Sequence, residues 1–288
     1  MSYDLFLRPK TGSFSQSDFN EYFSKRKYYN LEGNQAWYEN ENTGVYFLFE
    51  FQEMEDIKEN EIYYPVAFNM NYFRPSNFVN EAEPEVADFI KTHALIVEDP
   101  QTNGMGTGEY NSEMFTSGWL HGNEFGYSAI LKDHPEVSTL PQKKLHDAWK
   151  WNYKKEELQN SVTDDVFVPG IMFLSYRGTP VTTAVWPDAI PSLIPEVDVL
   201  LIGRKELAPK KFFKKTEDMV VGDWSEFQPL LDMHKSKMHG NSYYMYYDSV
   251  PKKIQKAIKI LKPSGEEELQ WLGKDQVLDR EIVQKYVS

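Results

Sequence analysis

The chain is 288 residues long, contains no cysteine and carries a formal net charge of −13. The missing thiols exclude disulfides, thiol catalysis and thiolate metal sites, and a chain of this size can withdraw roughly three quarters of its unfolded surface from water without such staples. The acidity lies at the front: residues 1–100 hold 18 acids against 8 bases, residues 101–200 hold 13 against 7, and residues 201–288 hold 13 against 16. The first third therefore repels nucleic acid and attracts basic proteins.

The N-terminus, MSYDLFLRPK, has Asp4 where a secretory signal carries positive charge, and its apolar stretch is too short for the core of such a signal. No run approaches the ~18 apolar residues that span a bilayer. The expectation is a soluble, cytoplasmic protein without a membrane partner. YDLFL opens the fold as a short strand. Ser15 and Asp18 form a capping box for a helix whose apolar stripe is Phe19, Tyr22 and Phe23. AWYENENTGVYFLFEF reads as a hairpin turning at Asn42-Thr43-Gly44, where Gly44 supplies the positive φ. PVAFNMNYF alternates as a strand, with Val66, Phe68, Met70 and Tyr72 on one face. Pro84 fits the first turn of a second helix, with Val86, Phe89, Ile90 and His93 at helical spacing, and ALIV closes the unit as a strand. The order β-α-β-β-β-α-β predicts an α+β fold whose N-terminal part, residues 1–103, is a ferredoxin-like βαβββαβ sandwich with one added strand.

Next comes NGMGTG, read as a glycine-rich connector over 104–109. Residues 110–288 then form a helical pair followed by a mixed α/β subdomain. The pair spans Asn111 to Lys132 and Leu140 to Asn160; the second helix has Thr139 as N-cap and Leu145, Ala148, Trp149 and Tyr153 inward. GIMFLSYRGTPVTTAVW is a hairpin turning at Arg177-Gly178, VDVLLIG a strand buried on both faces, EDMVV a further strand, and VPKKIQKAIKILK a helix with Ile254, Ala257, Ile258 and Leu261 inward. LDREIVQKYV ends the chain as a helix.

Few motifs carry chemistry. Counted from Gly104, a dinucleotide fingerprint would need glycine where Glu109 stands, and no Gly-Lys-Ser/Thr follows, so neither nucleotide loop is present. The six histidines lack metal-ligand spacing; His93, on its helix's apolar stripe, reads as a buried, hydrogen-bonded core residue. GYSAI has Ile130 where a nucleophile elbow needs glycine. No cofactor or metal is expected. Three acids, Asp188, Glu196 and Asp198, lie near Trp186 in AVWPDAIPSLIPEVD, and such a set could hydrolyse a glycosidic bond if its carboxyls met at the right separation; the plainer reading puts Asp188 in a turn and the other two at a strand entry.

Two charge features remain. Glu50, Glu53, Glu55, Asp56, Glu59 and Glu61 crowd one connection, followed by Glu81, Glu83, Glu85 and Asp88 near the second helix; they form either a solvated surface or a docking face for a basic protein. Lysines 210, 211, 214, 215, 252, 253, 256, 259 and 262 flank the aromatic SYYMYY, but the last third totals only +3, which makes nucleic acid a poor partner.

MSYDLFL, NENTGVYFLFEF, NMNYFRP and TAVWPDAIPSLIPEVDVLLIGR together resemble a group of bacterial proteins of similar length, some of them similar to immunity proteins encoded beside secreted toxins. The resemblance implies a binding protein and assigns no residue a role. The expected function is neutralisation of a basic secreted toxin by occlusion, with Glu53, Glu55, Asp56 and Glu59 as partner-binding residues; the alternative is a carboxylate-dependent hydrolase using Asp188 with Glu196 or Asp198 near Trp186.

Overall fold

The structure, a computed structural model, describes residues 1–53, 62–208 and 218–287. It is a mixed α+β chain that divides into two compact units, residues 1–142 with 275–288, and residues 143–274. The expected joint at 104–109 lies within the first unit.

In unit 1, strand β1 (Ser2–Pro9) leads into helix α1 (Gln16–Ser24), then β2 (Tyr29–Glu32), β3 (Gln35–Asn40), β4 (Val45–Phe51), β5 (Val66–Asn71), α2 (Phe78–Thr92), β6 (Leu95–Asp99) and β7 (Gly106–Gly108). The strands form one seven-stranded sheet in the order β2-β3-β4-β5-β1-β6-β7, with every neighbouring pair antiparallel. Two strands go beyond the expected five. β2 is four residues long and β7 is Gly-Thr-Gly, and neither carries the β-branched or aromatic run that marks a strand in sequence. The Ser15–Asp18 capping box forms on α1, and Gly44 takes a φ of 76° in the hairpin turn. Pro84 is not in the first turn of α2: that helix starts six residues earlier and carries the proline inside.

Strict alternation puts Leu5, Phe47, Phe49, Phe68 and Val97 on one buried sheet face. Both helices cover that face with aromatic rings, Phe23 meeting Phe49 at 5.0 Å and Phe89 at 5.1 Å. The buried carboxylate of Glu81 in α2 accepts hydrogen bonds from Tyr38 Oη at 2.6 Å, Asn40 Nδ2 at 2.7 Å and Thr43 Oγ1 at 3.1 Å, tying the helix to the β3–β4 turn.

The glycines of 104–108 wrap a carboxylate of the chain itself. Asp99 accepts from Tyr3 Oη at 2.6 Å and from the backbone N–H groups of Gln101 and Met105 at 3.0 Å each. A Cβ on Gly104 would stand 2.2 Å from the Asp99 carboxyl carbon, so that position must lack a side chain. The loop hands the chain into β7.

Unit 1 continues with α3 (Ser112–Ile130) and β8 (Ser138–Leu140). Unit 2 begins within α4 (Gln142–Tyr153), which with α5 (Lys155–Asn160) replaces the single helix expected over 140–160; Thr139 lies in β8 rather than capping a helix. Leu145 and Ala148 are buried as expected, but Tyr153 is 44% exposed and Asn152 takes the inward place, exchanging hydrogen bonds with the backbone of Ile171. Strands β9 (Ile171–Tyr176), β10 (Thr179–Val185), β11 (Ser192–Ile194), β12 (Val199–Arg204) and β13 (Asp218–Asp223) follow, then α6 (Trp224–His234), β14 (Lys237–His239), β15 (Ser242–Met245), α7 (Lys252–Ile260) and β16 (Leu269–Leu272). One sheet runs β13-β12-β10-β9-β16 and another β11-β15-β14. β12, central and almost wholly buried, pairs parallel with β10 and antiparallel with β13. Its buried Arg204 is paired bidentately with Asp218 at 2.7 and 2.8 Å and donates to the carbonyls of Ile258 and Leu261, satisfying the C-terminal end of α7.

The last residues belong to unit 1. β17 (Val277–Asp279) pairs parallel with β8, and the terminal helix shrinks to α8 (Arg280–Val283). Leu278 and Val283 pack with Tyr127 and Leu131 of the α3 region, and buried Asp279 accepts from Ser76 N and Oγ at 2.7 Å each and from Tyr127 Oη at 3.1 Å.

Candidate functional site

Two surfaces concentrate chemistry, one in each unit. The first is the face of the seven-stranded sheet opposite its helices. Alternation turns residues of every strand outward, and none of them is fully buried. The register lines them up in rows: Asn30, Trp37, Leu48, Asn69 and Asp4 follow one another across five strands. In the next row Glu32, Gln35, Glu50, Ala67, Phe6 and Glu98 cross six strands. Asp4, Glu32, Glu39, Glu50 and Glu98 carry negative charge there against Arg8 alone among the outward strand residues. Hydrogen bonds hold several of these groups in place: Gln35 Nε2 donates to Glu50 at 2.9 Å, Trp37 Nε1 to Gln35 at 3.1 Å, and Asn69 Nδ2 to Asp4 at 2.5 Å. Trp37 remains 38% exposed. The face thus offers aromatic and aliphatic anchors framed by ordered carboxylates.

Of the expected partner-binding residues, Glu53 is exposed just beyond β4, while Glu55, Asp56 and Glu59 lie outside the described residues. The acids of the second helix are used internally. Glu81 is buried, Glu83 accepts from Tyr110 at 3.1 Å, and Glu85 and Asp88 clamp Arg26 at 2.9 and 2.7 Å.

The second surface is an open cleft of about 910 Å³ in unit 2. Its walls come from α4, the 195–198 segment, the start of α6 and the β14–β15 turn, and Glu196 and Asp198 both line it. Asp198 accepts from Thr182 N and Oγ1 at 2.9 Å each and pairs with Lys144. Burial pushes its carboxyl up, but the bonds from Lys144 and Thr182 outweigh that and hold it below the usual carboxylate range. Asp188 and Trp186 do not line the cleft. Asp188 Oδ1 accepts three backbone N–H groups, of Lys205, Glu206 and Leu207, at 2.9 to 3.0 Å. Trp186 is fully buried, with its indole N–H on the carbonyl of Ile190 at 2.8 Å. Of the three carboxyls read from sequence two therefore line the cleft, and the aromatic wall expected beside them is core.

Among the described residues no three His, Asp or Glu side chains gather as ion ligands, and no helix is long and apolar enough to cross a membrane. On α7 the lysines face solvent and Ile254 and Ile258 face the core; lysines 210, 211, 214 and 215 lie outside the described residues. No protein-family model, curated protein or solved structure matches the chain.

Sequence reasoning missed the outward rows because it sought acids adjacent in sequence. The usable signal was the set of alternate positions in each strand, Trp37 with Glu39 and Leu48 with Glu50, which only strand pairing assembles into one surface.

Proposed function

We propose that this chain works by binding another protein, as the cytoplasmic immunity partner of a basic secreted toxin, which it neutralises by occlusion. The observation that carries this reading is the outer face of the unit 1 sheet, where exposed Trp37 and half-buried Leu48 provide anchors, Phe6 is packed beside Tyr64, and five carboxylates set a negative field. Aromatic anchors supply most of the energy of such interfaces, and complementary charge raises encounter rate and selectivity. A basic protein satisfies both, whereas nucleic acid would be repelled. The central strand order β6-β1-β5-β4, with helices α1 and α2 on one face, supports classing unit 1 as an extended ferredoxin-like sandwich.

The test is capture of a candidate toxin encoded by a neighbouring gene, at low and high ionic strength, with the native chain, Trp37→Ala, and the triple variant Glu39→Lys, Glu50→Lys, Glu98→Lys. Trp37→Ala is expected to weaken the complex about 30-fold, matching an anchor worth about 2 kcal/mol. The triple variant is expected to abolish the salt dependence. Affinity indifferent to salt and to all four substitutions would overturn the reading.

One observation favours a second reading, a carboxylate-dependent hydrolase: Glu196 and Asp198 share the unit 2 cleft. Turnover of a glycoside that disappears in Glu196→Gln would establish it; unchanged turnover in that variant would end it.

A further inference from the structure

The unit 2 cleft carries a charge arrangement that the toxin-binding reading does not use, and of which the hydrolase reading takes Glu196 alone. Two of its lysines are already neutralised: Lys143 pairs with Asp147 at 2.5 Å along α4, and Lys144 pairs with Asp198. Subtracting those pairs leaves Lys150 and Lys154, both exposed, on the α4–α5 wall; neither ammonium group makes a hydrogen bond or ion pair among the described residues. Glu196, before β12, and Asp223, at the start of α6, line other walls in the same uncommitted state. The cleft is lined as well by buried Ala148, Ile171 and Val197 and by Trp151, whose indole N–H donates to the carbonyl of Pro169 at 2.7 Å. A cleft of about 910 Å³ is at the upper end of the range that takes small organic ligands or a few peptide residues.

We infer that this cleft binds a short peptide with both termini free, its carboxylate against Lys150 and Lys154, its ammonium against Glu196 and Asp223, and its side chains on the apolar lining residues. The segregation of charge selects this class. A purely anionic ligand such as a nucleotide would satisfy the lysines but share the cleft with the carboxylates of Glu196 and Asp223. A polyamine would meet the converse repulsion. A neutral ligand would leave both pairs unused, and repulsion of wrong partners is as much a source of selectivity as attraction of the right one. The inference does not rest on toxin binding, since it concerns the other unit.

The probe is tetra-alanine in four forms: free, N-acetylated, C-amidated and blocked at both ends. Each is titrated into the full chain by calorimetry and by nuclear magnetic resonance. The free peptide is expected to bind, and each single block to weaken it at least ten-fold. In the double variant Lys150→Ala, Lys154→Ala the free and amidated peptides are expected to bind alike, while acetylation still weakens binding. Both lysines are exposed, so the variant keeps its fold, and an unchanged amide spectrum outside the cleft checks that. No binding of the free peptide, equal binding of all four forms, or a double variant that still discriminates the amidated peptide would each overturn the inference.

Discussion

Asp188 shows how a carboxylate placed in a suggestive sequence is used up by its backbone surroundings. It lies in a 3₁₀ turn at φ 45°, and one oxygen collects three consecutive N–H groups from residues 205–207. Asp188→Ala is expected to lower stability by about 1–3 kcal/mol, the cost of leaving such donors unsatisfied, while Asp188→Asn retains an acceptor and most of the stability. Urea unfolding of both variants checks this, and peptide binding in the cleft should be unchanged in each. His93 offers a pH readout. Its ring packs at 4.9 Å from Phe14 and 5.1 Å from Tyr22 and Phe89, and Nε2 has no hydrogen-bond partner among the described residues. Burial holds its pKa below the usual histidine value, against the opposing pull of Asp18 and Asp88. The unfolded chain therefore takes up the proton first. This contribution to stability is complete above about pH 6.5 and is lost as pH falls through the histidine range. The urea midpoint is expected to fall between pH 7 and 5, and His93→Phe to flatten part of that slope.

At the scale of single elements, the β6–β7 hairpin depends on one missing side chain. Asp99 needs three donors to be buried, and two of them come from a loop that can close only because Gly104 has no Cβ. Gly104→Ala is expected to cost about 1–3 kcal/mol, the usual penalty of overpacking, and to raise amide exchange first in residues 106–108. Unchanged exchange there would mean that β7 does not depend on the loop. The outer face of the sheet obeys similar logic: a one-residue slip of β3 against β4 would turn Trp37 into the core and Tyr38 out, so the aromatic inner face that builds the core also fixes which residues form the docking surface.

Across the whole molecule, charge divides by unit more sharply than by position along the chain. Unit 1 holds 26 acids against 11 bases, or −15, and unit 2 holds 18 against 20, or +2. Unit 1 is also completed from the far end of the chain, because Asp279, Leu278 and Val283 fill its α3 region. Removing residues 275–288 is expected to leave the Ser76 N–H unpaired, to leave the Tyr127 hydroxyl with the Arg74 carbonyl as its remaining partner and to open a void beside Leu131, lowering the stability of unit 1 by several kcal/mol. Hydrogen exchange should rise in α3 and β8 while β9–β13 stay protected; equal loss of protection in both sets would refute that assignment. The amino-acid sequence alone determined the local elements with strong periodicity: the capped α1, the Asn42-Thr43-Gly44 hairpin, the alternating β5 and the doubly buried β12. Each rests on neighbours within a few residues. Tertiary structure alone decided that the glycine loop serves Asp99, that Asp188 and Trp186 turn away from the cleft, and that Trp37, Leu48, Asn69 and Asp4 form one row. Those outcomes depend on strand order and register, and these are set by burying one whole sheet face at once, a constraint that no short stretch of sequence contains.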